Sequence, residues 1–230
     1  MNDQFLHGLR LQGLLSFGPE SPEVALTPLN VLIGPNASGK SNFIEALELL
    51  HATLADLADP LRIGGGLSEW LWKGASPPKP AVVTARLSLP QVLLPPERIY
   101  LHEDGLRTPV PGTRVSDGTL RFLALLAVLL SPGAASLVCI EEPELGLHPD
   151  ALAILAELLV EASQQTQVVV TTHSDALVSA LTEHADSVLI TEPGPTGTEL
   201  RRLESEKLQH WLSKYRLGDI WRMGKLGGNL

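Results

Sequence analysis

At 230 residues the chain suits one generous domain with a substantial interior. Hydrophobic residues make up 44% and mean hydropathy is +0.13, yet the longest apolar candidate, Leu120 to Leu130, is broken by Arg121 and falls short of the roughly 18 residues a membrane span needs. The formal net charge of -9 argues against a nucleic-acid surface spread over the whole domain, and the single Cys139, set in an apolar run and read as a small core residue, excludes disulfides and cysteine-based zinc sites.

The opening MNDQFLHGLR places an acid early and shows neither a basic leader region nor a small-residue cleavage site, so a cytoplasmic address is expected. The first 33 residues alternate short apolar runs with turn residues, and Leu29 to Ile33 reads as a buried strand ending at Gly34. From Ser41 to about Ala58, Phe43, Leu47, Leu50, Leu54 and Leu57 recur at helical spacing and give a helix with one buried face.

Between Pro60 and Gly112 the character changes. Gly64 to Gly66, prolines from 77 to 111, strand-like pieces at Val82 to Leu89 and Arg98 to Leu101, and a hairpin-like Glu103-Asp104-Gly105 make a small loop-rich lobe inserted in a domain that otherwise spans 1–230. An apolar helix from Leu120 to Leu130 follows, stopped by Ser131-Pro132-Gly133. The remainder is regular: strand Leu137 to Ile140, helix Pro149 to about Ala162, strand Val168 to Thr172, helix Asp175 to Leu181, strand Val188 to Thr191. Apolar strands separated by helices indicate a mostly parallel sheet flanked by helices. The last forty residues read as one short strand and one or two helices.

Gly34-Pro35-Asn36-Ala37-Ser38-Gly39-Lys40-Ser41 matches the phosphate-binding pattern G-x-x-x-x-G-K-[ST], and it lies between a strand and a helix as that pattern requires. Its glycines let successive N–H groups turn inward around a phosphate, the helix N-terminus adds partial positive charge, Lys40 reaches the outer phosphates, and Ser41 is placed for Mg²⁺. At the end of the next apolar strand stand Glu141 and Glu142. Either they cap the strand and face solvent, or the first holds Mg²⁺ through water and the second polarises the attacking water.

His173 follows Val168 to Thr172 and reaches the same sheet edge, where ligands of open α/β sheets sit. It reads either as a helix-start residue or, favoured by that position, as a γ-phosphate contact. Ser116-Asp117-Gly118 precedes the apolar helix and is either an ordinary N-cap or a second phosphate-facing helix start, with the Ser116 hydroxyl and Gly118 amide offered to a nucleotide held by another subunit. Phe17 is read as core rather than as an adenine contact, and Trp70 and Trp72 as buried within the lobe rather than as a partner surface. Seven basic residues between Arg201 and Lys225, set against Glu204, Glu206 and Asp219, are read as a solvated face, with nucleic-acid contact as the alternative.

The order of Gly34 to Ser41, SDGTLR at 116 to 121, LVCIEEPELGLHP at 137 to 149 and TTHSDALV at 171 to 178 resembles the ABC-type P-loop ATPases related to RecF, SMC and OLD proteins. The resemblance covers nearly the whole chain. It implies a P-loop NTPase head with an N-terminal antiparallel β portion, two heads sandwiching two ATP molecules, Ser116 and Gly118 acting in trans, Glu142 as general base and His173 as γ-phosphate sensor. Leu145-Gly146-Leu147-His148 would lie at the interface of a homodimer.

Relatives commonly carry Asp at Glu141, and the glutamine that links nucleotide to the moving lobe has only Gln91 as a counterpart. OLD-type nucleases continue into a metal-dependent nuclease domain, for which there is no room after Thr191, so this chain is not expected to cut DNA by itself. The resulting expectation is an ATP- and Mg²⁺-dependent dimerising switch acting with DNA or a separate effector protein in repair or phage defence. The rival readings are the nucleotide-binding subunit of an ABC transporter and a nucleotide-binding scaffold without turnover.

Overall fold

In the computed structural model, residues 5–52, 67–74, 81–87, 116–130, 136–195 and 197–227 are described. Three consecutive apolar runs set the centre of the molecule. Strand β3 (Leu29–Ile33) and strand β6 (Gln167–Thr171) are buried at every residue, and they pair in parallel with Val31 opposite Val170. Strand β7 (Val188–Gly194) joins β3 from the other side, also in parallel, and β5 (Leu137–Glu141) flanks β6. A last strand, β8 (Gly197–Arg202), turns back antiparallel on β7, giving the order β5-β6-β3-β7-β8.

The two-residue period of the strands divides the interior into two cores. Val31, Ile33, Val168, Val170, Val188 and Ile190 face one side, where α4 (Ala151–Ala162), α5 (Asp175–Ala180) and α7 (Leu217–Arg222) pack through Leu155, Leu159, Leu177, Ile220 and Trp221. Leu32, Val169 and Leu189 face the other side. There they meet Phe43 and Leu47 of α1 (Lys40–Ala52) and Leu6, Leu9 and Leu11 of β1 (Leu6–Gln12). A buried Leu or Val side chain contributes about 1.5–3 kcal/mol, so these two layers dominate the cohesion of the fold.

Strand β1 is the middle of a three-stranded antiparallel sheet with β2 (Val24–Ala25) and β4 (Val82–Leu87). Gln167 ties this sheet to the parallel one: its Oε1 accepts from the Leu6 amide at 2.7 Å, and its Nε2 donates to the Leu6 carbonyl at 2.6 Å. A short helix α2 (Leu67–Trp70) brings Trp70 into the core beside β1, where the Trp70 carbonyl accepts from the Leu15 amide. Phe17 is 2% exposed and stands edge-on to Phe43, which settles it as core.

Helix α3 (Asp117–Leu129) carries the apolar run after Ser116, and α6 (Ser205–Leu212) lies in the tail. A 3-10 stretch, Thr182–Ser187, precedes β7 and had no signal in the sequence.

The α/β class, the mostly parallel sheet and the antiparallel N-terminal portion are as expected. One reading is corrected. Cys139 is exposed rather than a core residue, in a strand that among the described residues pairs on one side alone, with β6. Gly64 to Gly66, the continuation of α1 to Ala58, Gln91, the strand at 98–101, the hairpin at 103–105 and the stop at 131–133 lie outside the described residues. No helix among the described residues is long and apolar enough to cross a membrane.

Candidate functional site

The loop from Gly34 to Gly39 turns sharply between β3 and α1 because its backbone reaches conformations that side chains resist. Gly34 has φ +155° and its α-carbon lies against the Thr191 carbonyl, while Gly39 has φ +101° and faces the Thr198 and Ser16 hydroxyls. Ala37 also takes a positive φ, at 61°. The Lys40 ammonium folds over the loop, donating to the Gly34 and Pro35 carbonyls at 2.9 Å each. Burial lowers its pKa, and the Glu142 carboxylate partly offsets this.

The parallel register places the other segments at the same edge. Glu141 pairs with Thr171 as the last rung between β5 and β6, and the Glu142 amide donates onward to the Thr171 carbonyl at 2.9 Å. Glu142 has φ +42°, strained for a residue with a side chain. Its carboxylate comes to 3.8 Å from His173 Nε2.

The His173 pKa is pushed below its ordinary value, first by burial and then by the Lys40 ammonium, against the opposing pull of Glu142 and Glu144. Asn36, Ala37, Gly39, Lys40, Ser41, Asn42, Glu142, Thr171 and His173 together line a cleft of about 280 Å³. Four of the lysine, serine, glutamate and histidine positions singled out in the sequence, Lys40, Ser41, Glu142 and His173, therefore converge.

Glu141 does not line that cleft. It is exposed on the α1 side of β5, close enough to Glu45 for its charge to help raise the Glu45 pKa after burial. Ser38 is buried with its hydroxyl unpartnered among the described residues, and Gly34 and Pro35 form the floor beneath Lys40.

Ser116 and Gly118 also stand apart from the cleft. Ser116 caps α3, accepting from the Thr119 amide at 3.2 Å, and Gly118 approaches the Gly146 carbonyl so closely that a methyl group there would collide with it. One turn along, Arg121 donates to the Glu142 carbonyl at 3.2 Å. The helix start thus rests on the turn that carries Glu142. Leu145 and Gly146 on that turn are exposed, Leu145 at 51%.

Glu144 carries no functional signal in the sequence. Its Oε1 accepts from Thr172 Oγ1 at 2.6 Å and from the His173 amide at 3.0 Å. Both partners lie some thirty residues away along the chain, so no local pattern could have revealed the contact. In the tail, Lys207 and Arg222 pair with nearby carboxylates, whereas Arg201 donates to the Leu226 carbonyl and the half-buried Arg202 to the Asp186 and Ala25 carbonyls.

Residues 29–88 and 73–179 match the family described as "AAA domain, putative AbiEii toxin, Type IV TA system". The chain belongs to this AAA-domain family. Over 75 residues it is 39% identical to the Old nuclease of Escherichia phage P2, a match covering 32% of this chain and 12% of that nuclease, so the chain spans only a small part of that relative.

Among solved structures, the Smc head bound to the C-winged helix domain of ScpA superposes with a TM-score of 0.65 at 14% identity, covering 90% of this chain and 99% of that one. The SMC head domain from Thermotoga maritima gives 0.55 at 18% identity, covering 89% and 100%. At such identities the likeness is one of fold, and the fold is that of an SMC head. The expected kinship with the RecF, SMC and OLD group of P-loop ATPases is thereby borne out.

Proposed function

We propose that this AAA-domain chain hydrolyses ATP and uses the cycle to close and open a homodimer of heads, with residues 1–230 forming one head and 60–112 an inserted lobe. The observation that carries the reading is the convergence of Lys40, Ser41, Glu142 and His173 on one cleft beside a glycine-turned loop. The residues fit a magnesium-bound triphosphate: a lysine held by two backbone carbonyls can transfer its donors to phosphate oxygens, and the loop amides and the start of α1 supply further positive potential. Magnesium would neutralise phosphate charge there, with Ser41 and, through water, Glu141 as the residues that hold it.

In the proposed reaction Glu142 accepts a proton from water as the water oxygen bonds to the γ-phosphorus and the bond from that phosphorus to the bridging oxygen breaks. His173 donates to the γ-phosphate from its place beside Glu142. Ser116 and Gly118 serve the nucleotide of the partner head. Their distance from the cleft of their own chain supports a role in trans, and the exposed Leu145-Gly146 turn offers a contact surface. The effector is DNA or a separate protein, in keeping with the nuclease and the ScpA complex named among the relatives.

The test is Glu142→Gln with wild type as reference. Turnover should fall about 10²–10⁴-fold while ATP binding persists, and the variant should elute as an ATP-dependent dimer. Turnover equal to wild type would sink the assignment of the base. A variant that binds ATP and stays monomeric at every protein concentration would sink the switch.

A further inference from the structure

Resting on the reading that Glu142 and His173 act on ATP, we propose that Glu144 is a positioning residue whose carboxylate fixes where His173 stands relative to Glu142. The main-chain ladder between β5 and β6 ends with the Glu142 amide on the Thr171 carbonyl, and Glu142 then turns away with a positive φ. From the turn that follows, one oxygen of Glu144 takes over the connection. It accepts from the Thr172 hydroxyl at 2.6 Å and from the His173 amide at 3.0 Å. The Thr172 hydroxyl, having given its proton to Glu144, accepts in turn from the Ser174 amide at 2.9 Å. A single carboxylate oxygen therefore holds the His173 amide directly and, through the Thr172 hydroxyl, the Ser174 amide that follows it, and the His173 ring lies 3.8 Å from Glu142.

Helix capping does not account for this arrangement. The helix α5 that begins after His173 already has a cap, Ser174, which accepts from the Leu177 amide at 3.1 Å. The second oxygen of Glu144 is buried and unpartnered among the described residues. A half-satisfied carboxylate is a costly way to brace a turn, and such groups concentrate where position or charge is used. The charged groups facing His173 are Lys40 from α1 and Glu142 and Glu144 from the turn after β5, so Glu144 also shares in setting the charge around the imidazole.

Two variants separate position from charge. Glu144→Gln keeps an acceptor for Thr172 and His173 and loses the charge; Glu144→Ala loses both. For Glu144→Ala, kcat should drop about 30- to 100-fold with ATP affinity changed by less than about threefold, the signature of a displaced group rather than a lost binding site. Glu144→Gln should recover kcat to within about fivefold of wild type, since the acceptor geometry remains. Hydrogen exchange of the His173 amide, followed by NMR without nucleotide, should quicken at least about tenfold in Glu144→Ala and little in Glu144→Gln.

Three results would overturn the proposal: an alanine variant with wild-type kcat, a glutamine variant as impaired as the alanine one, or an unchanged His173 amide. If wild type itself does not hydrolyse ATP, the functional reading fails on its own, and the His173 amide still decides whether Glu144 holds that residue in place.

Discussion

Replacing Gly39 by alanine tests how tightly the phosphate loop is braced from behind. At φ +101° an alanine carries backbone strain of about 1–3 kcal/mol. Its methyl group would also collide with Thr198 Oγ1 and come within 2.6 Å of Ser16 Oγ. Thr198 cannot yield freely, because Oγ1 lies 3.0 Å from the Ser38 carbonyl and 2.7 Å from Ser16 Oγ. The Thr198 hydroxyl is the donor toward both, its one proton shared between the Ser16 hydroxyl and the Ser38 carbonyl.

Rotating the threonine breaks both bonds, at about 0.5–1.5 kcal/mol each. Strain and lost bonds together come to about 2–6 kcal/mol, or a fall in Tm of about 5–20 °C for a chain of this size. Urea unfolding of Gly39→Ala, Thr198→Ala and the double variant measures it. Because Thr198→Ala removes the obstacle, the double variant should be more stable than additivity predicts by about 1–2 kcal/mol. A Gly39→Ala cost under about 1 kcal/mol, or strict additivity, would refute the reasoning.

Leu155 is fully buried on α4 between the sheet and α5, so Leu155→Ala should cost about 3–5 kcal/mol in urea unfolding; a loss under about 1 kcal/mol would contradict the packing. Trp221, fully buried on α7, makes the tail part of the main core, and Trp221→Ala should lower Tm in a single cooperative transition by about 6–20 °C rather than release the tail alone. His173 binds its proton less readily folded than unfolded, so stability is unaffected well above pH 6.5 and falls as pH drops through 6.5 toward the lowered folded pKa. His173→Gln should flatten that limb in a series of urea midpoints; a limb equally steep in the variant would assign the effect to other groups.

Much of the fold was legible because its strands are short, apolar on both sides and separated by helices. Leu29 to Ile33 and Val168 to Thr171 could be little else, and the parallel arrangement follows from the helices between them. The same logic places Lys40, Glu142 and His173 at one edge from the sequence alone. What the sequence hid depended on position in the sheet or on contacts distant along the chain. Cys139 sits in a run as apolar as its neighbours', and only the strand order reveals that among the described residues β5 pairs on one side alone. Glu144 resembles a surface acid of a turn until its carboxylate is seen to reach Thr172 and His173. At Ser116 the cap on α3 was legible from local sequence, while the pressure of Gly118 on Gly146 depends on tertiary packing.

That last contact bears on how two proposed sites in a dimer could communicate. The turn from Glu142 to Asp150 lines the cleft through Glu142, holds the His173 amide through Glu144, and touches the start of α3 on the other side through Gly146. Arg121 grips the Glu142 carbonyl from α3, and Thr171 holds its amide from β6. A residue at φ +42° carries about 1–3 kcal/mol of strain and keeps that conformation only while its neighbours insist on it. Here the insistence comes partly from the helix whose first turn is proposed to face the partner's nucleotide. A displacement of α3 on engaging that nucleotide would act on the Glu142 main chain directly, without any intervening residue. The proposed base of one site and the helix proposed to face the other nucleotide thus meet at one strained turn, so the two proposed sites would need no longer route to sense each other.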